Sequence, residues 1–335
     1  MTISQFARRR LDRLSIPDSG LSDETTKIAS DFRTQVLLLG ATSLIGRFLT
    51  PRLADAGFKT VAISRAPPLS HQREAAEKAS GLLSWTQGDL TAPDELPQLE
   101  VADVIVSLSP IWLLPPALPS LFKTGARRLI AFSSTSRLTK IQSPVAAERE
   151  VARRLAEGEV ETVRLCATAG VACTLLRPTL IYAEGQDRNV SRLAEMIRRF
   201  GVLPLSGGGG GLRQPVHADD LAAAALSILD APTTFGKIYA LPGGETLTYR
   251  AMAERVFEGL GRRPRIVVVP PRLWRLGLAL ASPLLKGATS AMGERMAKDL
   301  TFDPAPAQAE FGWSPRLFRP QFVQSSDEIK TATAL

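Results

Sequence analysis

The sequence predicts an α/β protein, a doubly wound parallel sheet followed by a smaller C-terminal region. Three observations carry this. Short apolar runs alternate with stretches of helical periodicity from residue 35 to residue 177. The first run, Gln35-Val-Leu-Leu-Leu-Gly40, closes on a glycine and leads through a helical stretch to a second strand within about thirty residues. The run Arg128-Leu-Ile-Ala-Phe-Ser133 is nearly all apolar, as a central strand covered on both faces requires.

Taken in order, 35–40 reads as a buried strand, 44–56 as a helix and 59–64 as a parallel strand, which together make a βαβ unit. Strands follow at 82–87, 103–107, 128–133 and 171–177, with a long helix between residues 144 and 169. Beyond Tyr182 the pattern changes to a helix over 189–200, a glycine run over 207–211 and an alanine-rich helix after Asp220. The glycine run lacks the Lys-Ser/Thr ending of a P-loop and reads as a flexible loop near the substrate region. Thr248 reads as the N-cap of a C-terminal helix. The expected division is a polar basic tail over 1–33, a nucleotide-binding Rossmann domain over 34–181, a mostly substrate-binding region over 182–325, and a tail over 326–335. Within the third part, 213–241 is expected to pack back on the Rossmann domain.

Composition narrows the function. The 335 residues are 44% hydrophobic and 22% charged, an ordinary globular balance. Cys166 and Cys173 are too few for a disulfide framework and lack zinc spacing, so a reducing, cytoplasmic setting is expected and no metal site is predicted. The longest apolar stretch, 101–122, is broken by Asp103 and four prolines, which argues against a membrane span. The net charge of +8 rests on 32 arginines against 9 lysines. These are scattered without a docking motif or an aromatic platform, which argues against specific nucleic-acid binding. Arg8, Arg9, Arg10 and Arg13 read as part of a solvated basic tail, with an organellar presequence as the alternative.

The segment Gly40-Ala-Thr-Ser-Leu-Ile-Gly46 joins the first strand to the first helix, where backbone N–H groups and a helix N-terminus can receive a pyrophosphate. Gly40 suits the tight turn and Gly46 a close approach of helix and strand. Ser43 stands where the dinucleotide fingerprint has its middle glycine, narrowing the space while offering a hydroxyl. Arg65 follows the second strand where an acid would hold the ribose of NAD, and an arginine suits a 2′-phosphate instead. Asp89, in Gln87-Gly-Asp-Leu90, reads either as an acceptor for the adenine amino group or as a polar turn residue.

Together with VLLLGATSLIG (36–46), QGDL (87–90), ADVIVSLSP (102–110), RRLIAFSSTS (127–136), LLRPTLIYAEG (175–185) and QPVHADDLAAA (214–224), these residues resemble the extended and atypical short-chain dehydrogenase/reductases, the NAD(P)-dependent epimerase/dehydratase superfamily. The likeness runs from about residue 35 to residue 315. It implies that Gly40, Thr42, Ser43, Leu44, Ile45 and Gly46 hold the pyrophosphate, Arg65 the 2′-phosphate of NADP, Asp89 and Leu90 the adenine, and Ser107 and Ser109 the ribose region. Ser133, Pro178, Thr179 and Ile181 would line the cofactor at its nicotinamide end. Asp219 and Asp220 would tie the two domains together, and as acids near a helix start they also suit capping. His217 would belong to that junction.

The resemblance breaks at the catalytic pair. Enzymes of the superfamily place Tyr-x-x-x-Lys on the helix after the fifth strand, and the matching stretch here, Ser143-Pro-Val-Ala-Ala-Glu-Arg149, offers Val145 and Arg149. Valine transfers no proton, while Arg149 could still bond the ribose. Thr135 is the expected catalytic hydroxyl, orienting a substrate carbonyl, with Tyr182 and Glu148 as weaker candidates for acid/base work. Two functions remain open: an NADP-dependent oxidoreductase or nucleotide-sugar modifying enzyme with an unusual site, or a non-catalytic cofactor-binding scaffold or redox sensor. The substrate would be a carbonyl compound or a nucleotide sugar. The basic, apolar stretch from Leu273 to Leu285 would make a peripheral membrane or dimer contact.

Overall fold

A computed structural model describes residues 34–67, 81–270, 272–274 and 290–322. The two expected tails, 1–33 and 326–335, lie outside the described residues, as does most of the stretch from Leu273 to Leu285.

The central sheet is built from β1 (Gln35–Leu39), β2 (Lys59–Ser64), β3 (Leu83–Gln87), β4 (Val104–Ser107), β5 (Arg128–Phe132) and β6 (Ala172–Pro178), with β11 (Lys237–Leu241) at one edge. Its order is β11-β6-β5-β4-β1-β2-β3, and β1 pairs in parallel with both β2 and β4. The chain therefore reverses its direction of progress across the sheet between β1 and β4, the place where sheets of this kind receive ligands. Val36, Leu37, Leu38 and Leu39 are buried, as are Ile105, Val106, Leu129, Ile130 and Ala131, because these strands are covered on both faces.

The helices are α1 (Gly46–Asp55), α2 (Leu114–Leu121), a single turn α3 (Ser136–Thr139), α4 (Ala146–Ala169), α5 (Val190–Phe200), α6 (Ala218–Ser227), α7 (Tyr249–Gly259), α8 (Ser290–Ala297) and α9 (Ala305–Phe311). Short strands complete the chain: β7 (Ile181–Tyr182) pairs in parallel with β10 (Val216–His217), β8 (Leu203–Ser206) with β13 (Ile266–Val269), and β9 (Leu212–Arg213) runs antiparallel to β12 (Leu247–Thr248). Among the described residues no helix is long and apolar enough to cross a membrane.

Contacts divide the chain into two compact units, cut differently from the expected boundary at residue 181. The first takes the chain up to Phe132 with Gly158–Leu175 and Ala222–Lys237, and the second takes Ser133–Glu157, Leu176–Leu221 and the chain from Ile238 onward. The stretch that joins the first unit from within the C-terminal region is thus shorter than the expected 213–241. In the first unit, the buried Arg128 guanidinium donates to the Ile228 carbonyl and to Thr234 Oγ1 (2.9 Å) and lies 4.5 Å from the centre of the Phe235 ring. The core of the second unit gathers Tyr182, Val190, Ala194, Ile197, Leu205, Val256, Phe257 and Phe318. Thr248 caps α7 as expected, its Oγ1 accepting from the Ala251 N–H at 3.0 Å.

Candidate functional site

In the first unit, the carboxyl ends of β1 to β4 bring the expected nucleotide residues together. Gly40 turns the chain with φ +76°, a conformation a side chain disfavours, and a Cβ there would lie 3.1 Å from Ser109 Oγ. A Cβ on Gly46 would stand 2.2 Å from the Ala41 carbonyl oxygen, so glycine is a packing requirement. Helix α1 begins at Gly46, two residues later than the sequence predicts, because Ser43 closes its start: Gly46 N–H donates to Ser43 Oγ at 3.2 Å. That bond uses Ser43 as an acceptor and leaves its proton available to an anion. The first turn of α1 carries no acid. The N-terminal end of the helix dipole is therefore unopposed there.

Thr42 reaches the end of β2, its Oγ1 2.9 Å from Ser64 Oγ. Arg65 follows with an exposed side chain, and its carbonyl accepts from Gln87 at the end of β3. Asp89 accepts from the Thr91 N–H at 2.9 Å, which gives the turn reading a physical basis. That bond, helped by the nearby Arg65, holds the Asp89 carboxyl below the usual carboxylate range. Ile45 and Leu90 are buried, so only their backbones can face a ligand, and Leu44 is half-buried. Ser107 Oγ is buried and has no hydrogen-bond partner among the described residues. An open cradle, an unopposed helix start and an unspent hydroxyl fit a dinucleotide phosphate and ribose.

In the second unit, the expected residues are spent on the protein itself. Ser133 N–H donates to the Leu176 carbonyl, and the buried Thr135 donates its hydroxyl proton to the Pro178 carbonyl at 3.0 Å. The Thr135 proton is thus committed to the main chain in this structure. Thr179 Oγ1 donates to the Gln214 carbonyl, and Ile181 pairs with Val216 in the β7–β10 ladder. Ser133 and Thr135 are tied by their N–H groups to Leu176 and Pro178 of β6, and Thr179 follows that strand.

Arg149 stands in the first turn of α4. Its guanidinium donates to the Ser143 carbonyl at 2.7 Å and lines an open cavity of about 570 Å³ with Arg137, Ile141, Ala146 and Arg153. Helix α4 starts at Ala146, which leaves Val145 before it and Arg149 on its exposed side, while Ala152 and Leu155 form the buried side. No tyrosine anywhere in the sequence is followed four residues later by a lysine, and α4 contains neither residue type.

The weaker candidates are also accounted for. Glu148 accepts from Ser143 Oγ at 2.6 Å and pairs with Arg295; these bonds outweigh the opposing effect of burial and hold its carboxyl below the usual range. A carboxylate held in this way is a poor proton donor. Tyr182 is 1% exposed, packed edge-on against His217 and Phe318, with burial and then the Glu184 charge pushing its phenol up. It is a core residue, neither a substrate wall nor an acid/base.

The sequence does not reveal the partner of His217. Its Nδ1 accepts from the Asp219 N–H at 3.1 Å and its Nε2 lies 3.2 Å from Glu184, so the imidazole takes a place at the start of α6. Asp219 and Asp220 pair with Arg316 of the second unit at 2.7 and 2.8 Å. The only advance signal for the histidine pair is the apolar-then-polar ending shared by Leu180-Ile-Tyr-Ala-Glu184 and Pro215-Val-His217, which the parallel register sets side by side.

The family described as the NAD dependent epimerase/dehydratase family matches residues 36–109 and 118–241. A mitochondrial NADH dehydrogenase [ubiquinone] 1 alpha subcomplex subunit 9 from Arabidopsis thaliana is 35% identical over 112 residues, which is 33% of this chain and 27% of the relative. A (4-alkanoyl-5-oxo-2,5-dihydrofuran-3-yl)methyl phosphate reductase from Streptomyces griseus is 28% identical over 251 residues, covering 75% of this chain and 80% of the relative. The match thus spans only about a quarter of the mitochondrial subunit's length. Among solved structures, a UDP-glucuronic acid 4-epimerase from Bacillus cereus in complex with NAD shares the fold with a TM-score of 0.61 and 14% identity, over 85% of this chain and 94% of that one.

Proposed function

Because the chain belongs to the NAD-dependent epimerase/dehydratase family, we propose that it is an NADP-preferring oxidoreductase or nucleotide-sugar modifying enzyme whose proton transfer does not use a tyrosine and lysine pair. The observation that carries this reading is the first unit's cradle: Gly40 and Gly46 without room for a side chain, the Ser107 hydroxyl without a partner among the described residues, and an exposed Arg65 just after β2. Gly40 to Gly46 would hold the pyrophosphate, Arg65 the 2′-phosphate, Asp89 and Leu90 the adenine end, and Ser107 and Ser109 the ribose. Ser133, Pro178, Thr179 and Ile181 would flank the nicotinamide end. The bound cofactor would supply hydride chemistry. The chain's own groups would bind it, orient it and keep water away. The NAD-bound epimerase of the same fold and the reductase from Streptomyces support a carbonyl or nucleotide-sugar substrate.

A second reading, a cofactor-binding scaffold or redox sensor without turnover, is favoured by the committed Thr135 proton and by the absence of any Tyr-x-x-x-Lys spacing. The complex subunit from Arabidopsis supports it, and its mitochondrial location supports an organellar alternative to a cytoplasmic setting.

Titration with NADPH and NADH, followed by nucleotide fluorescence, tests the shared premise. NADPH is expected to bind more tightly, with Arg65→Asp moving the preference toward NADH and Gly46→Trp weakening both. A folded wild type that binds neither nucleotide would end both readings. If NADPH binds, a panel of carbonyl compounds and nucleotide sugars separates them, since turnover with any member supports the enzyme and binding without turnover supports the scaffold.

A further inference from the structure

The sequence holds two cysteines, and the first unit sets them against each other. Cys166 stands in the last turn of α4, fully buried, on the same inward side as Glu159 and Thr162, which precede it at helical spacing. Cys173 is the second residue of β6 and is also buried. Between them the chain turns back through 167–170, with Gly170 at φ +68° and the Val171 N–H returning to the Cys166 carbonyl at 2.9 Å. The two thiols meet inside this turn and share a hydrogen bond. The main chain around Cys173 is held from three sides. Its carbonyl accepts from the Gly236 N–H at 2.7 Å, the Ala172 N–H donates to the Arg127 carbonyl at 2.9 Å, and the Arg128 guanidinium donates to the Ala172 carbonyl at 3.3 Å. Sulfur atoms that already touch on a fixed main chain need little backbone movement to be bridged.

The two thiols have unlike surroundings. Cys166 lies at the carboxyl end of α4, where the helix dipole is negative and the last turn carries no basic residue, so a thiolate is disfavoured there. Cys173 lies beside the residue that Arg128 binds, where a cation favours one. Burial alone pushes every thiol up and makes it inert. Here the hydrogen bond from Cys166, helped by the Arg128 charge, outweighs burial and holds the Cys173 thiol below its ordinary value. The same bond, and then burial, push the Cys166 thiol up. Cys173 is thus the nucleophile, and Cys166 keeps its proton within reach of it. The covering turn, 167–170, is exposed, and a Cβ on Gly170 would meet nothing within 4 Å. Fraying of that helix end admits a small oxidant.

We propose that Cys166 and Cys173 form a reversible disulfide when the protein meets a hydroperoxide. The Cys173 thiolate attacks the terminal peroxide oxygen. The O–O bond breaks, the departing oxygen takes a proton from solvent and leaves as alcohol or water, and Cys173 becomes a sulfenic acid. The Cys166 sulfur then attacks the Cys173 sulfur while its proton passes to the leaving hydroxyl. The S–S bond forms, the S–O bond breaks and water departs. Two electrons pass from the thiol pair to the peroxide, and a dithiol reductant returns them by exchange.

Oxidation of the full chain with hydrogen peroxide, followed by denaturation in a thiol-alkylating agent and mass measurement, tests this. The wild type is expected to take up no alkyl group and to lose about 2 Da, two hydrogens, mapped by digestion to the segment carrying both residues. Dithiothreitol restores both thiols. Cys166→Ser should leave a sulfenic acid on Cys173 that dimedone traps, while Cys173→Ser should be trapped at Cys166 at least about tenfold more slowly. Two alkylatable thiols after peroxide, or a disulfide between copies in place of one within the chain, overturns the proposal. So does faster trapping at Cys166 than at Cys173. The wild-type mass does not depend on either variant folding, and no nucleotide enters the experiment, so its outcome is separate from that of the cofactor reading.

Discussion

The carboxyl edge of the sheet in the first unit and the segments around β6 and α5 in the second use the same chemical group in opposite ways. Along the sheet edge of the first, hydroxyls are left with capacity to spare: Ser107 has no partner among the described residues, and Ser43 accepts one bond while keeping its proton. In the second, Thr135 and Thr179 give their protons to main-chain carbonyls and Ser191 gives its own to Asp187. A hydroxyl can serve a ligand only if the fold has not already consumed it. Under the proposed function, the difference means that the binding half of the family's site is kept open while its proton-transfer half serves structure.

The strongest test of that contrast is Gly46→Ala. The added methyl meets main chain at Ala41, which cannot move aside like a side-chain tip, so NADPH affinity should fall by about a hundredfold. Fluorescence titration beside a melting curve separates lost binding from lost folding. Arg65→Asp comes next: removing a charge-assisted contact to a 2′-phosphate should cost NADPH about tenfold and leave NADH equal or better. Equal loss for both nucleotides would place Arg65 outside the specificity contact. Thr135→Val should cost about 1 kcal/mol of stability and change NADPH affinity less than about twofold. A large loss of turnover at unchanged stability would show instead that the hydroxyl works in chemistry.

The last test uses acid. Glu148, Glu184 and Glu245 of the second unit all sit below the usual glutamate range; burial opposes this, and bonds from Ser143 and Arg295, from His217, and from Arg255 and Phe318 overcome it. Each carboxylate binds its proton less readily in the folded state than in the unfolded chain. Its contribution is therefore present above the ordinary glutamate value and is lost as pH falls through the lowered one. Unfolding followed against pH should show the fluorescence of Trp313 in the second unit changing before that of Trp112 in the first. Glu184→Gln should lower stability at neutral pH, where this contribution is present, and flatten the acid limb, where it is lost in any case. An acid limb unchanged by that variant would remove Glu184 from the account.

How much of this was legible in the sequence follows from the range of the forces involved. Strands covered on both faces, such as Val36 to Leu39, announce themselves as apolar runs, and their observed ends fall within a residue or so of expectation. The glycine turn was legible too, since its requirement is local. Helix starts were less so: Ser43 delays α1, and Asp187, accepting from the Val190 and Ser191 N–H groups, serves the start of α5 where Asn189 was expected to begin it. Val145 and Arg149 could be counted along the chain, but which side of α4 faces inward depends on packing, and packing put Arg149 outside. The His217 and Glu184 pair spans 33 residues and exists only through the β7–β10 register.

The buried Arg128 has a consequence in time. Its guanidinium draws its hydrogen bonds from residues 172, 228 and 234, and Gly158, packed on the Trp112 main chain, must also arrive before the first unit is complete. A ribosome delivers these segments after β5, so the nascent cofactor sheet must wait, with a cation already inside it, until more than a hundred further residues have emerged. Chains halted before residue 222 should therefore be bound by chaperones or degraded, however complete their nucleotide turn.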